Sequence, residues 1–192
     1  GVKSEPNNYK TGNECYLEVN HETYSKWNDF AGNNTQIQGY VKETNLTAGD
    51  LSIKAGSGAV TFKGDVGASK VINNLTVVTT GDVTAAKTVH TQEAFVVKQA
   101  KDISVGGMIY AGYNDAGKKT AGEKGQVSLE AVGENTTNGI DAAGKVNLVS
   151  TAANGKITMN GKIKTDSKAA DAVVLDAKGS FANKTKNTLT DT

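Results

Sequence analysis

The sequence predicts an all-β fold, a right-handed parallel β-helix (β-solenoid) of about six coils, with a non-repeat N-terminal segment. Three observations predict it. Short apolar triplets recur along the chain, a second apolar step follows in five of the six units and a third in four, and glycine marks the corners where proline is missing.

The opening triplets are Leu51-Ser52-Ile53, Leu75-Thr76-Val77, Phe95-Val96-Val97, Val127-Ser128-Leu129, Val146-Asn147-Leu148 and Val173-Val174-Leu175. A second strand is expected at Val60, Val83, Ile103, Ile157 and Phe181, and a third at Val66, Val89, Ile109 and Ile163. Each segment alternates apolar and polar residues, so each buries one face. None buries that face alone; stacked coil on coil, the inward residues form one core. Val66, Val89, Ile109 and Ile163 should form one inward column, each lying six residues after a second-strand start.

The triplets begin 24, 20, 32, 19 and 27 residues apart. Such uneven coils do not suit a left-handed hexapeptide helix with stereotyped corners, and parallel crossovers favour the right hand. Six rungs at one strand spacing each give a rod of about 30 Å. Of 22 Gly residues, several sit just before strands, as in Gly49-Asp50-Leu51, Gly81-Asp82-Val83 and Gly155-Lys156-Ile157. The single Pro, Pro6, lies far from the repeats, where it would remove a ladder donor.

Residues 1–40 do not repeat and hold six of the 11 aromatic residues: Tyr9, Tyr16, Tyr24, Trp27, Phe30 and Tyr40. Tyr24, Trp27 and Phe30 fall three apart, as on one helical face, with Asn20 placed to cap that turn and Gly32 to end it. An open solenoid end exposes core and strand edges. The segment is therefore read as a cap or side element, and the competing reading makes Trp27 part of a binding patch. Residues 41–192 form the β-helix. A polar, Gly-rich insertion loop at 110–126 leaves the core, and its Tyr110, Tyr113, Asn114, Asp115, Lys118 and Lys119 are the candidate binding residues.

Charge and chemistry exclude more than they suggest. The net charge is +1, and all 21 basic residues are Lys. Without Arg, sites that fork onto phosphate, carboxylate or guanine are disfavoured, and no nucleic-acid partner is expected. No apolar stretch is long enough to span a membrane, so no membrane insertion of this segment is expected. One Cys, Cys15, gives no disulfide framework. His21 and His90 lack metal-ligand spacing, and no nucleophile elbow, phosphate loop or zinc motif occurs. Catalytic residues, metal and cofactors are all expected to be none. Asp82 and Asp102 share one coil position; a stacked Ca²⁺ pair is weighed against bonding to the turn backbone, the commoner use. Asn-X-Ser/Thr matches at Asn33, Asn45, Asn74, Asn135 and Asn183 are expected by chance. Thr79-Thr80, Thr84 and Thr88 are not expected to form the in-register Thr-x-Thr array of an ice-binding helix.

Three runs carry a resemblance. These are Gly144-Lys145-Val146-Asn147-Leu148-Val149-Ser150-Thr151, then Asn154-Gly155-Lys156-Ile157-Thr158-Met159-Asn160-Gly161-Lys162-Ile163, then Ala172-Val173-Val174-Leu175-Asp176-Ala177-Lys178-Gly179-Ser180-Phe181-Ala182-Asn183. With Gly81-Asp82-Val83-Thr84-Ala85 and Lys101-Asp102-Ile103-Ser104-Val105-Gly106-Gly107 they resemble the repeats of filamentous-haemagglutinin-like adhesins, which autotransporter passengers and partner-secreted exoproteins share. The resemblance covers about residues 45–192 and does not extend to the segment before residue 41. No Asn-Pro-Asn motif of the family's secretion domain occurs. It implies a secreted or surface-attached bacterial adhesin, outer-membrane-attached, with a protein or glycan receptor on a host or bacterial cell. Starting at Gly1, the chain reads as an excerpt with flanking coils of a longer protein. The alternative is a pectate-lyase-like β-helix enzyme acting on polysaccharide. The missing Arg and the lack of a convergent acidic cluster speak against it.

Overall fold

The computed structural model describes the backbone of Glu14–Val19 and Trp27–Ala31, and residues 49–120 and 124–184. Every described element is a strand. The chain divides into two units, Gly1–Asn45 and Leu46–Thr192.

In the first unit, β1 (Glu14–Val19) pairs antiparallel with β2 (Trp27–Ala31), with an irregularity between Glu14 and Tyr16. This corrects the expected helical turn. Trp27 and Phe30 stand on a strand, where a spacing of three puts residues on opposite faces rather than on one. The period of three was a coincidence of aromatic placement. Asn20, Tyr24 and Gly32 lie outside the described residues, as does the expected cap over the first coils.

The second unit is a parallel β-solenoid of about six turns. The first coil contains β3 (Leu51–Gly56) and β4 (Val60–Phe62), closed by a bridge from Val66 to Val89. The second contains β5 (Ile72–Thr79) and β6 (Val83–Ala85). β7 (Val89–Ala100) runs without a break from the third stretch of that coil into the first stretch of the next. β8 (Ile103–Val105) and β9 (Ile109–Ala111) complete the third coil. The fourth is β10 (Gln126–Ala131), β11 (Glu134–Thr137) and β12 (Ile140–Ala142). The fifth is β13 (Val146–Ser150), β14 (Lys156–Met159) and β15 (Ile163–Thr165). The sixth is β16 (Val173–Ala177) and β17 (Ser180–Asn183).

The register makes the core a set of columns. Leu51, Leu75, Phe95, Val127, Val146 and Val173 pair in succession along the first strands. Along the third strands, Val66, Val89, Ile109, Ile140 and Ile163 do the same. The four residues expected there share one column, and Ile140 is a fifth. The middle rungs are sealed, with Leu75, Phe95, Ile103, Ile109 and Ile157 at 0–1% exposure. Burial falls off at the two ends, where Leu51 is 40% and Phe181 50% exposed.

The fourth coil departs from the apolar pattern. Its second strand places Asn135 between Ile103 and Ile157, and Thr137 between Val105 and Met159. Asn135 is fully buried. Its amide nitrogen donates to the Leu129 carbonyl at 2.8 Å, while its Oδ1 has no partner. Thr137 Oγ1 lies 3.3 Å from Met159 Sδ. Burial also closes Asn135 to glycosylation in the folded chain.

Hydroxyls align in a way the sequence pattern did not suggest. On the second strands, between the core positions, Thr61, Thr84, Ser104, Thr136 and Thr158 stand in register, with Thr158 itself buried. The file is one hydroxyl wide. Two positions earlier on successive strands stand Asp82, Asp102, Glu134 and Lys156, so it is not a Thr-x-Thr surface.

Candidate functional site

Every third strand must turn a corner into the next first strand, and here the coils differ. The spans from Val66 to Leu75, Val89 to Phe95, Ile109 to Val127, Ile140 to Val146 and Ile163 to Val173 are nine, six, 18, six and ten residues. Long and short corners alternate. The longest, in the third coil, is the insertion expected at 110–126; strands claim its ends, so the free segment runs from 112 to 125.

The insertion is not a loose loop. Gly112 starts it at φ +84°, packed so closely against Ala143 and the Gly125 backbone that a side chain has no room. Tyr113 and Lys119 form an antiparallel bridge, and Asn114 closes the hairpin tip: its Oδ1 accepts from the N–H groups of Ala116 (3.1 Å) and Lys118 (3.0 Å). Gly117 supplies the left-handed residue of that turn at φ +68°. Thr120 donates its N–H and its hydroxyl to the Gly112 carbonyl, at 2.6 and 2.9 Å.

Cross-coil ties hold the hairpin at both ends. Asp115 Oδ1 accepts from the Val71 N–H at 2.9 Å and Oδ2 meets Lys70 Nζ at 3.1 Å, both on the long corner of the first coil. These bonds hold the Asp115 carboxyl below its usual range, the Val71 N–H first and Lys70 next. Lys119 Nζ meets Asp141 Oδ1 of the fourth coil at 2.6 Å and Asp166 Oδ2 of the fifth at 3.1 Å. Desolvation pulls the Lys119 ammonium down, but bonding to Asp141 and Asp166 outweighs it, and its pKa is raised. The hairpin thus forms a ridge from the first coil to the fifth.

Aromatic rings sit on the same face. His90 and Tyr110 are partners in the third-strand ladder and stack at 4.8 Å between centroids. Tyr113 meets Tyr110 edge-on at 5.4 Å, and Lys119 Nζ lies 5.7 Å from the Tyr113 centroid. Burial raises the Tyr113 hydroxyl above its ordinary pKa, helped by the carboxylate of Asp141. Burial likewise lowers His90, opposed by Asp65.

The structure therefore brings Tyr110, Tyr113, Asn114, Asp115, Lys118 and Lys119 together on one ridge. Most of their polar groups are spent on the ridge itself. Tyr110 and Tyr113 are half-buried, Asn114 shapes the turn, and Asp115 and Lys119 are the ties; Lys118 is exposed. Trp27, in the other unit, is described as backbone only. Sequence reading missed His90, Lys70, Asp141 and Asp166. Their roles exist only once the register is known: Asp141 is the outward residue of β12, and Lys70 and Asp166 stand on corners with no motif around them.

Asp82 and Asp102 are rung neighbours, but Lys101 Nζ stands between them, 3.7 and 3.8 Å away. Asp102 Oδ1 accepts the Glu134 N–H at 2.6 Å. For Asp102 this is the turn-bonding use of aspartate; Asp82 faces Lys101. Among the described residues no group of three or more His, Cys, Asp or Glu is arranged to hold a metal. Comparison with known proteins finds no matching family model, no matching curated relative and no matching solved structure.

Proposed function

We propose that the chain is a binding segment of a secreted or surface-attached bacterial adhesin, in which the solenoid holds contact elements away from the cell. The observation that carries this reading is the ridge: the longest insertion is fixed across five coils by Asp115 at one end and Lys119 at the other. A segment with no role beyond connection needs no such ties, and rigid insertions on a repeat scaffold are how binding faces are commonly built. The likeness of the repeats to haemagglutinin-like adhesins supports the same reading. The partner is a protein or glycan receptor on a host or bacterial cell.

The test replaces the chain between Ala111 and Gln126 with Ala-Gly, the equivalents of Ala143 and Gly144, so that the Ile109-to-Val127 span becomes the six residues of the fourth-coil corner. The expected result is a strand spectrum and melting transition like the parent's, with binding of coated beads to cells reduced to background. Equal cell binding by both forms would remove the ridge from the mechanism, and no binding by the parent to any cell type would sink the adhesin reading. Cleavage of an acidic polysaccharide by the parent would replace it with the enzyme reading.

A further inference from the structure

Where the insertion rejoins the stack it borders an open groove of about 410 Å³, lined by Asn74, Glu93, Ala94, Lys124, Gly125 and Gln126. Three features make the groove. First, β7 bulges against β5: Ile72 pairs with Thr91 but Asn74 with Ala94, so one extra residue on β7 turns Glu93 aside. Bulges of this kind re-aim a side chain and collect near functional sites. Second, the outward residue of that rung is Ala94, with Asn74 on one neighbouring rung and Gln126 on the other. The small side chain between two amides leaves a floor without a polar group. Third, Lys124 and Gly125 close the far side. Gly125 is fixed at φ +86° against the Gly112 backbone, so the returning chain cannot fold over the floor.

The polar groups at the rim form one connected set. Glu93 Oε1 accepts from Lys124 Nζ at 2.9 Å, and Oε2 from Asn74 Nδ2 at 3.4 Å. Asn74 Nδ2 also donates to Asp50 Oδ1 at 2.9 Å. The bonds from Lys124 and then Asn74 keep the Glu93 carboxyl below its usual range, against the opposing charge of Asp50, so it is an acceptor at neutral pH. Lys124 is largely exposed, with its side chain 66% accessible, and is free to swing toward an incoming group.

We infer that this groove is a subsite for a neutral sugar ring. Glu93 and Asp50 disfavour an anion, and the Lys124 ammonium paired with Glu93 offsets part of that field, so an uncharged ligand rich in hydroxyls suits the rim. A carboxylate beside an ammonium and a carboxamide matches adjacent hydroxyls, which both donate and accept. The Ala94 floor suits the C–H face of a pyranose. The volume falls in the range of about 300–1,000 Å³ usual for small-ligand clefts. With no aromatic ring in the groove, binding by one subsite is weak, and repetition along a surface supplies avidity. The inference rests on the adhesin reading for its biological sense but not for its test.

The test is a titration of the isotope-labelled chain with neutral monosaccharides (glucose, galactose, mannose and N-acetylglucosamine), followed by amide shifts. The expected result is a saturable shift confined to Asn74, Glu93, Ala94 and Lys124 to Gln126 with at least one sugar. It should be lost in Ala94→Leu, which fills the floor, and at least tenfold weaker in Glu93→Gln. If Ala94→Leu does not fold, Lys124→Ala and Glu93→Gln carry the comparison, since both side chains lie at the rim. No saturable shift with any sugar overturns the site, as do shifts that persist in the folded Ala94→Leu chain or that map to the ridge instead. Cell adhesion without groove binding would leave the adhesin reading standing and sink the subsite; groove binding without adhesion would do the reverse.

Discussion

Lys119 in the third coil lies 3.1 Å from Asp166 in the fifth, and on the way across the fourth coil it meets Asp141 at 2.6 Å. One ammonium therefore links three rungs that share no sequence neighbourhood. Lys119 and Asp141 are both mostly shielded, with side chains 22% and 17% exposed, whereas Asp166 is 60% exposed. The inner pair carries the energetic weight, because exposed pairs are worth little.

Replacing Lys119 with Met keeps the stem and removes the charge, leaving Asp141 shielded without its partner. The expected cost is roughly 1–3 kcal/mol, below the value for a fully buried pair because water still reaches the site. Urea unfolding measures it. Amide exchange should speed up in 113–120 while Phe95 and Ile103 stay protected, and uniform loss of protection would show that the ridge and core open together.

Core substitutions should separate two neighbours in one column. Ile103→Asp places a charge among apolar rungs and should cost more than about 4 kcal/mol or abolish folding. Asn135→Leu, one rung away, removes an Oδ1 that has no partner and gives up one good bond, to Leu129 at 2.8 Å, and a long one, to Val149 at 3.5 Å. Desolvating an unpaired polar group costs about 1–3 kcal/mol and a hydrogen bond contributes about 1, so this change should be neutral or stabilising. A loss beyond about 1 kcal/mol would mean the amide does more than hold Leu129.

Alkaline pH should loosen the ridge before the core. Tyr113 and Lys119 ordinarily titrate at 10.0 and 10.5, and folding raises both. Each is protonated in the fold where the unfolded chain has begun to lose its proton. Their contribution is complete below about pH 10 and is lost as pH rises through the raised values. Tyr113→Phe should flatten the fall of melting temperature above that pH; an unchanged slope would place the titration elsewhere.

Glycine substitutions should have opposite signs at two corners. A Cβ on Gly161 runs into the Asn138 carbonyl of the rung before it, so Gly161→Ala must push two rungs apart and should cost several kcal/mol. Gly64 has open space around it and an ordinary φ, so Gly64→Ala should gain about 0.4–1 kcal/mol by restricting the unfolded chain. Melting of the two variants side by side checks the spacing of the rungs.

The stack was legible in the sequence because its inward residues are repeated and apolar. Val66, Val89, Ile109 and Ile163 could be aligned by counting, and the structure puts them in one column. The fourth coil broke the count twice. Asn135 and Thr137 stand where apolar residues were sought, and Ile140 follows Asn135 by five residues rather than six. A buried amide carries no signal until its neighbours are known. The helical reading of Trp27 and Phe30 failed because three rings are too few to establish a period, and β2 pairs with β1 instead. At the ridge, residue types were visible in the sequence, but their partners were not. The tie from Asp115 to Val71 spans 44 residues of chain and depends on the corner of another coil.

The alternation of long and short corners limits how densely side elements can be mounted on such a rod. Rungs advance about 4.8 Å each, while a two-stranded hairpin with its side chains occupies about 10 Å, or two rungs. The third-coil hairpin has that room because the corners of the second and fourth coils are short. Lengthening either of those, between Val89 and Phe95 or between Ile140 and Val146, would crowd it. Lengthening its own tip at Gly117, where nothing lies within 4 Å, would not. The lattice of the strands thus sets a minimum separation between appendages, independent of what any of them touches.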